Sequence, residues 1–192
     1  MKKFFYGIIL CAAVIFAGCV STGRHKKVSR SLTDKGVMTA AELTSFFMAN
    51  NPDADRSNVE LLAGLYIDEA GMEGINSDCA FIQMCHETGF LTYGNLVTPE
   101  MHNYCGLGAI NQEQRGLVFE TEQEGVRAHI QHLHAYATTA DVHLINDCID
   151  PRYKYVNPRG KSPTIEGLAG TWAADKEYSA KLEQLIVRLE AN

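Results

Sequence analysis

Residues 81–90 read Phe81-Ile82-Gln83-Met84-Cys85-His86-Glu87-Thr88-Gly89-Phe90. Phe81, Ile82, Met84 and Cys85 fall at helical spacing, which predicts a helix over about residues 78–87, and Gly89 halts it. Glu87 therefore stands where an apolar helix meets a glycine turn. A carboxyl group against apolar walls has its charged form disfavoured, so its pKa rises. That is the property a general acid needs to carry a proton near neutral pH and protonate a glycosidic oxygen. Most glutamates are surface residues, so these features alone leave Glu87 as readily a solvated helix-end glutamate as an acid.

The segments on either side repeat the helical pattern. Thr39 and Glu42 form a capping box ahead of Leu43, Phe46 and Phe47, and that helix ends before Pro52. Ser57 and Glu60 form a second box ahead of Val59, Leu62, Ala63, Tyr66 and Ile67, with Gly71 and Gly74 as breakers. Thr121 and Glu124 give a third, ahead of Val126, Ile130, Leu133 and Ala137. A last helix over about residues 176–189 buries Tyr178, Leu182, Leu185, Ile186 and Leu189. Between helices, residues 88–119 carry Gly89, Gly94, Pro99, Gly106, Gly108 and Gly116, which suits short strands or loops. The expected fold is mainly α, with a small β or loop insertion forming one wall of a cleft and Glu87 at its edge.

The amino terminus reads as an address. Lys2 and Lys3 precede an uncharged, mostly apolar tract from Phe4 to Gly18, shorter than the roughly 20 residues that span a bilayer. It ends Phe16-Ala17-Gly18-Cys19, which resembles a bacterial lipobox with Phe where leucine is usual. This predicts a lipoprotein signal over residues 1–18, lipidation at Cys19, a flexible linker over 19–37 and one domain over 38–192. Val20 is not the aspartate associated with inner-membrane retention, so the expected location is the cell envelope, anchored to the outer membrane and facing the periplasm.

The chain has 192 residues, 46% hydrophobic and 21% charged, which fits one folded domain and argues against disorder. A formal net charge of −6 speaks against wrapping nucleic acid, and attraction to an anionic wall cannot rest on bulk charge. Cys79, Cys85, Cys105 and Cys148 lie beyond the signal; they could form two disulfides or serve as buried thiols. No tight cysteine pair points to zinc. His129 and His132 share a helix face and could hold a metal, but no third ligand lies at suitable spacing, so a packing role is the simpler reading.

Four ordered segments carry a resemblance. Gln83 to Phe90 is similar to the Q-x-x-x-E-T-G-[WF] motif of bacterial glucosaminidase domains, glycoside hydrolase family 73. Asn103-Tyr104-Cys105-Gly106-Leu107-Gly108 resembles a family turn, Phe119 to Tyr136 a family helix, and Thr171 to Leu182 a segment reading Y-A-T-D-P-x-Y-A-x-K-L. The resemblance spans about Thr39 to the carboxyl terminus. It departs at Trp172, where many members have tyrosine, at Lys176-Glu177, which replaces a proline step, and in a short insertion between Gly106 and Phe119.

The resemblance implies a lysozyme-like fold that cleaves the β-1,4 bond after N-acetylglucosamine in peptidoglycan. It implies Glu87 as the acid and Tyr178 as an active-site tyrosine. Glu120 is the favoured candidate for a second carboxylate, beside Glu113 and Glu122; alternatively the substrate's own acetamido oxygen takes that part. Gln83, Tyr104 and Trp172 are candidates for substrate binding. The expected partners are peptidoglycan glycan strands and, through Cys19, a membrane. No nucleic acid, cofactor or metal is expected, and the domain is expected to act as a monomer. A glycan-binding module without cleavage and a lytic transglycosylase are the alternatives.

Overall fold

The structure, a computed structural model, describes residues 26–192; the signal and Cys19 lie outside the described residues. Five helices follow in order: α1 (Ala40–Asn50), α2 (Arg56–Glu73), α3 (Ser77–Thr88), α4 (Glu122–Ala137) and α5 (Tyr178–Glu190). Short 3-10 turns lie at Pro99–Met101, Tyr153–Tyr155 and Glu166–Leu168. α2 packs on α1, α3 and α4, while α5 covers α3. Helix α3 is the centre: Ser77 to Cys85 and Thr88 are all buried. Its apolar side chains meet Phe47, Tyr66, Ile130 and Leu182 in one continuous core.

Local chemistry explains the helix ends. Thr39 and Glu42 close a complete capping box on α1. Helix α2 starts earlier than Ser57 and Glu60 suggest. Asp55 is its cap and accepts from the Ser57 amide at 2.9 Å. Gly71 stays helical, and Gly74, at φ 67°, ends α2 in the left-handed conformation that glycine adopts without strain. Asn76 caps α3 by accepting from the Asp78 and Cys79 amides. Thr121 caps α4, but Glu124 turns to the Glu120 amide instead of closing the box. Helix α5 begins at Tyr178, two residues later than about Lys176.

One expectation needs correction. The stretch assigned to a linker is packed at its far end, because Val28 and Leu32 are each 1% exposed. Arg30 reaches Glu183 and Glu190 on α5. Asn76 donates to the Ser29 and Ser31 carbonyls, and the Asp78 carboxylate accepts from the Val37 and Met38 amides. Apolar Val28 and Leu32 were masked in sequence by the charged residues around them.

Of the two forms the sequence allowed for the insertion, the chain takes the loop. Among the described residues only isolated bridges occur, Ser31 with Thr164 and Ala169 with Ala173. Residues 89–119 form a loop wall, not strands. Left-handed glycines at 94, 106, 108 and 116 interrupt any ladder. Asn103 staples the loop instead, donating to the Leu107 and Leu117 carbonyls and accepting from the Leu107 amide. Gly125 lets this wall approach α4: a Cβ there would lie 1.7 Å from the His102 carbonyl oxygen. Cys79, Cys85 and Cys105 are buried free thiols, and Cys148 is an exposed one.

Candidate active site

Helix α3 delivers Glu87 in its last turn, and the wall that follows opens a cavity of about 150 Å³ beside it. Tyr93, Asn95, Leu96 and Asn103 line that cavity with Glu87. Two side chains from the carboxyl-terminal part of the chain grip the carboxyl group. Trp172 Nε1–H donates to Glu87 Oε1 at 3.1 Å, and the Tyr178 hydroxyl donates to the same oxygen. With Oε1 taken twice, the proton of the neutral acid resides on Oε2. Burial disfavours the carboxylate and raises the Glu87 pKa, while the bonds from Tyr178 and Trp172 partly oppose the rise.

Behind Tyr178 lies a buried chain of polar groups. Gln83 Nε2 donates to the Tyr178 oxygen at 2.8 Å. The Gln83 carbonyl oxygen lies 3.1 Å from His129 Nε2, and His129 Nδ1 lies 2.8 Å from the Tyr66 hydroxyl. An amide oxygen only accepts, so Nε2 carries the proton and Nδ1 accepts from Tyr66. Complete burial holds the His129 pKa down at about 3, so the ring is neutral. Every donor in this chain from α2 through α4 and α3 points the same way, toward Glu87 Oε1. Trp172 is set from its other side by the rings of His132 and Tyr136, each 5.1 Å away between centroids.

The loop after α3 is held in unusual backbone. Phe90, Leu91 and Tyr93 all have positive φ, between 54° and 60°. Such conformations cost non-glycine residues roughly 1–2 kcal/mol each. Compensating bonds surround them. Asn51 donates to the Phe90 carbonyl at 2.8 Å, the Thr88 hydroxyl accepts from the Leu91 amide at 3.0 Å, and Phe90 packs against Phe46 and Phe47. The outcome is that Tyr93 faces the cavity. Strain of this kind gathers at functional sites.

Of the sequence candidates, Glu87, Tyr178 and Trp172 come together. Gln83 does not face the cavity: it is 1% exposed and supports Tyr178 from behind. Tyr104 lies on a different surface, lining a larger neighbouring groove. Glu120 and Glu113 are exposed and are not among the residues lining the Glu87 cavity, and Glu122 lines the neighbouring groove. His129 spends both nitrogens on Tyr66 and Gln83, and His132 Nδ1 pairs with Asp150. Sequence reasoning missed His129, Tyr66 and Tyr93. One signal was available: His129 lies on the apolar stripe of α4 with Val126 and Ile130, and a buried ring nitrogen requires a partner.

A family profile described as mannosyl-glycoprotein endo-beta-N-acetylglucosaminidase matches residues 63–191, a span that contains Tyr66, Gln83, Glu87, Tyr93, His129, Trp172 and Tyr178. The chain belongs to the glucosaminidase family. This glucosaminidase is 39% identical over 158 residues to an uncharacterised protein of Borreliella burgdorferi, covering 82% of this chain and 76% of that one. Its fold is similar to that of a catalytic mutant of Staphylococcus aureus autolysin E, crystallised in complex with the disaccharide NAG-NAM. The TM-score is 0.54 at 11% identity, over 88% of this chain and 73% of the other. At that identity the likeness is one of fold.

Proposed function

We propose that this glucosaminidase hydrolyses the β-1,4 bond after N-acetylglucosamine in peptidoglycan glycan strands, with Glu87 as the proton donor. One observation carries the reading: both tethering donors sit on Glu87 Oε1, so a proton on Oε2 is free for a bound glycan. In the reaction Oε2–H passes its proton to the glycosidic oxygen as the bond from that oxygen to C1 breaks. The remaining lining residues of the cavity carry no carboxylate. This favours the acetamido oxygen of the same sugar as the group that bonds to C1. Water then adds at C1 as the bond from C1 to the acetamido oxygen breaks, and the water's proton returns to the Glu87 carboxylate. The glycan bound to the autolysin neighbour supports the substrate class. Release of reducing N-acetylglucosamine ends from purified sacculi tests the proposal, and its absence overturns it.

The pH dependence has a definite sign. A general acid works while protonated, so the rate falls as pH rises through the raised Glu87 pKa. Tyr178→Phe removes a bond that favours the carboxylate. The pKa should climb further, and the alkaline limb of the kcat profile should move to higher pH while kcat falls. A limb that stays in place would mean that Glu87 is not the titrating acid.

We also propose export as a lipoprotein acylated at Cys19, supported by the apolar tract and the Phe16-Ala17-Gly18-Cys19 ending. Cys19→Ser should shift the protein from the membrane to the soluble fraction of the expressing bacterium. A wild type already soluble would contradict this.

A further inference from the structure

A cavity of about 820 Å³ lies next to the Glu87 cavity and shares Tyr93 with it. Four carboxylates line it: Asp53 and Asp55 ahead of α2, Glu100 in the 99–101 turn and Glu122 in the first turn of α4. No lysine or arginine is among its lining residues, and His102 is the one basic side chain there. Arg56, beside Asp55, is occupied by Glu60 at 3.2 Å. Helix capping accounts for Asp55, and the α4 dipole accounts for Glu122. Glu100 takes bonds from its own amide and the Thr98 side chain, and nothing comparable among the described residues accounts for Asp53.

Tyr104 supplies an independent observation. Its side chain is 3% exposed and lines this groove, and its hydroxyl has no hydrogen-bond partner among the described residues. With no partner inside the protein, the hydroxyl at the end of this buried ring keeps its oxygen open to the groove. Burial, with Tyr93 and Glu122 close by, raises the Tyr104 pKa, so the phenol is neutral and offers an acceptor oxygen.

We propose that this groove binds the ammonium group of an amine-bearing peptide branch on the substrate glycan. The inference rests on the peptidoglycan reading. A glycan running from Glu87 past Tyr93 offers hydroxyl and acetamido groups and, on muramic sugars without peptide, a lactyl carboxylate; positive charge enters only through the peptide branches. A concave surface lined by one sign of charge concentrates the opposite sign. An ammonium has three donors, matched here by carboxylates and the Tyr104 oxygen. A branch ending only in carboxylates is repelled, so the groove selects branches with a free amine.

The test compares three soluble glycans: one without peptide and with its lactyl carboxyls amidated, one with amine-bearing peptides, and the latter with its amines N-acetylated. At low salt, kcat/KM should favour the free amine over its acetylated form by roughly tenfold, and the advantage should shrink as salt is added. The double variant Glu100→Gln, Glu122→Gln should lose the preference and keep the wild-type rate on peptide-free glycan. Equal kcat/KM for the two peptide-bearing glycans, or a preference that survives in the double variant, would overturn the proposal. Binding to Glu87→Gln protein separates the two readings. Tighter binding of the free-amine glycan with no cleavage of any glycan by wild type would keep the groove and reject the hydrolase.

Discussion

Glu87→Gln is expected to leave the fold intact and to lower glycan cleavage by roughly 100- to 10,000-fold, the span that general acid catalysis contributes. Glutamine keeps the size of the side chain, and its amide oxygen still accepts from Trp172 and Tyr178. It has no acidic proton, so the leaving sugar must depart as an alkoxide. Glycan binding should change little, because the loss falls on the transition state, and kcat should drop with KM nearly constant. The tethers argue for this separation: Glu87 is positioned by groups on α5 and the segment before it, not by substrate. A well-folded Glu87→Gln protein with near wild-type turnover would remove Glu87 from the mechanism.

Arg127→Met is expected to destabilise the domain by about 3–5 kcal/mol at neutral pH, the cost of leaving a buried charge without its partner. Glu69 on α2 is 3% exposed and takes two bonds from the Arg127 guanidinium on α4, at 2.8 and 2.9 Å, with Gln123 as a third donor. Burial alone would raise the Glu69 pKa, but the bonds from Arg127 and Gln123 outweigh it and hold the pKa below the ordinary carboxyl value. A folded-state pKa below the unfolded one stabilises above the unfolded value, about 4.3, and that stability is lost as pH falls through the folded value. In Arg127→Met the lowering bonds of arginine are gone and burial dominates, so acidification should relieve the defect. Urea midpoints at neutral and mildly acidic pH measure both effects. The double variant Glu69→Gln, Arg127→Met should lose less than Arg127→Met alone. A single variant within about 0.5 kcal/mol of wild type would show that the pair contributes no more than an ordinary surface contact.

The helices were legible because their signals are local. Thr39 with Glu42 marked α1, Gly89 the end of α3, and the stripe of Val126, Ile130 and Leu133 marked α4. Glu87 was legible because the apolar helix and glycine turn around it, Gln83 to Phe90, also match the motif of glucosaminidase domains. What stayed hidden depends on contacts between residues far apart in the chain. Gln83 and His129 are separated by 46 positions, and nothing local tells that one orients the other. The successive left-handed residues after Gly89 escaped notice because Phe90, Leu91 and Tyr93 have no intrinsic preference for that conformation. The N-terminal strap was misread because Arg30 looks like a solvated linker residue until α5 supplies Glu183 and Glu190.

Digestion of purified peptidoglycan in water enriched in heavy oxygen, with mass spectrometry of the products, tests the central claim most directly. Hydrolysis through Glu87 predicts new reducing ends on N-acetylglucosamine, each carrying one heavy oxygen at C1. Products ending in 1,6-anhydro sugars without the label would contradict the account and make the protein a lytic transglycosylase. Intact, glycan-bound protein that releases nothing would contradict it in favour of a binding module.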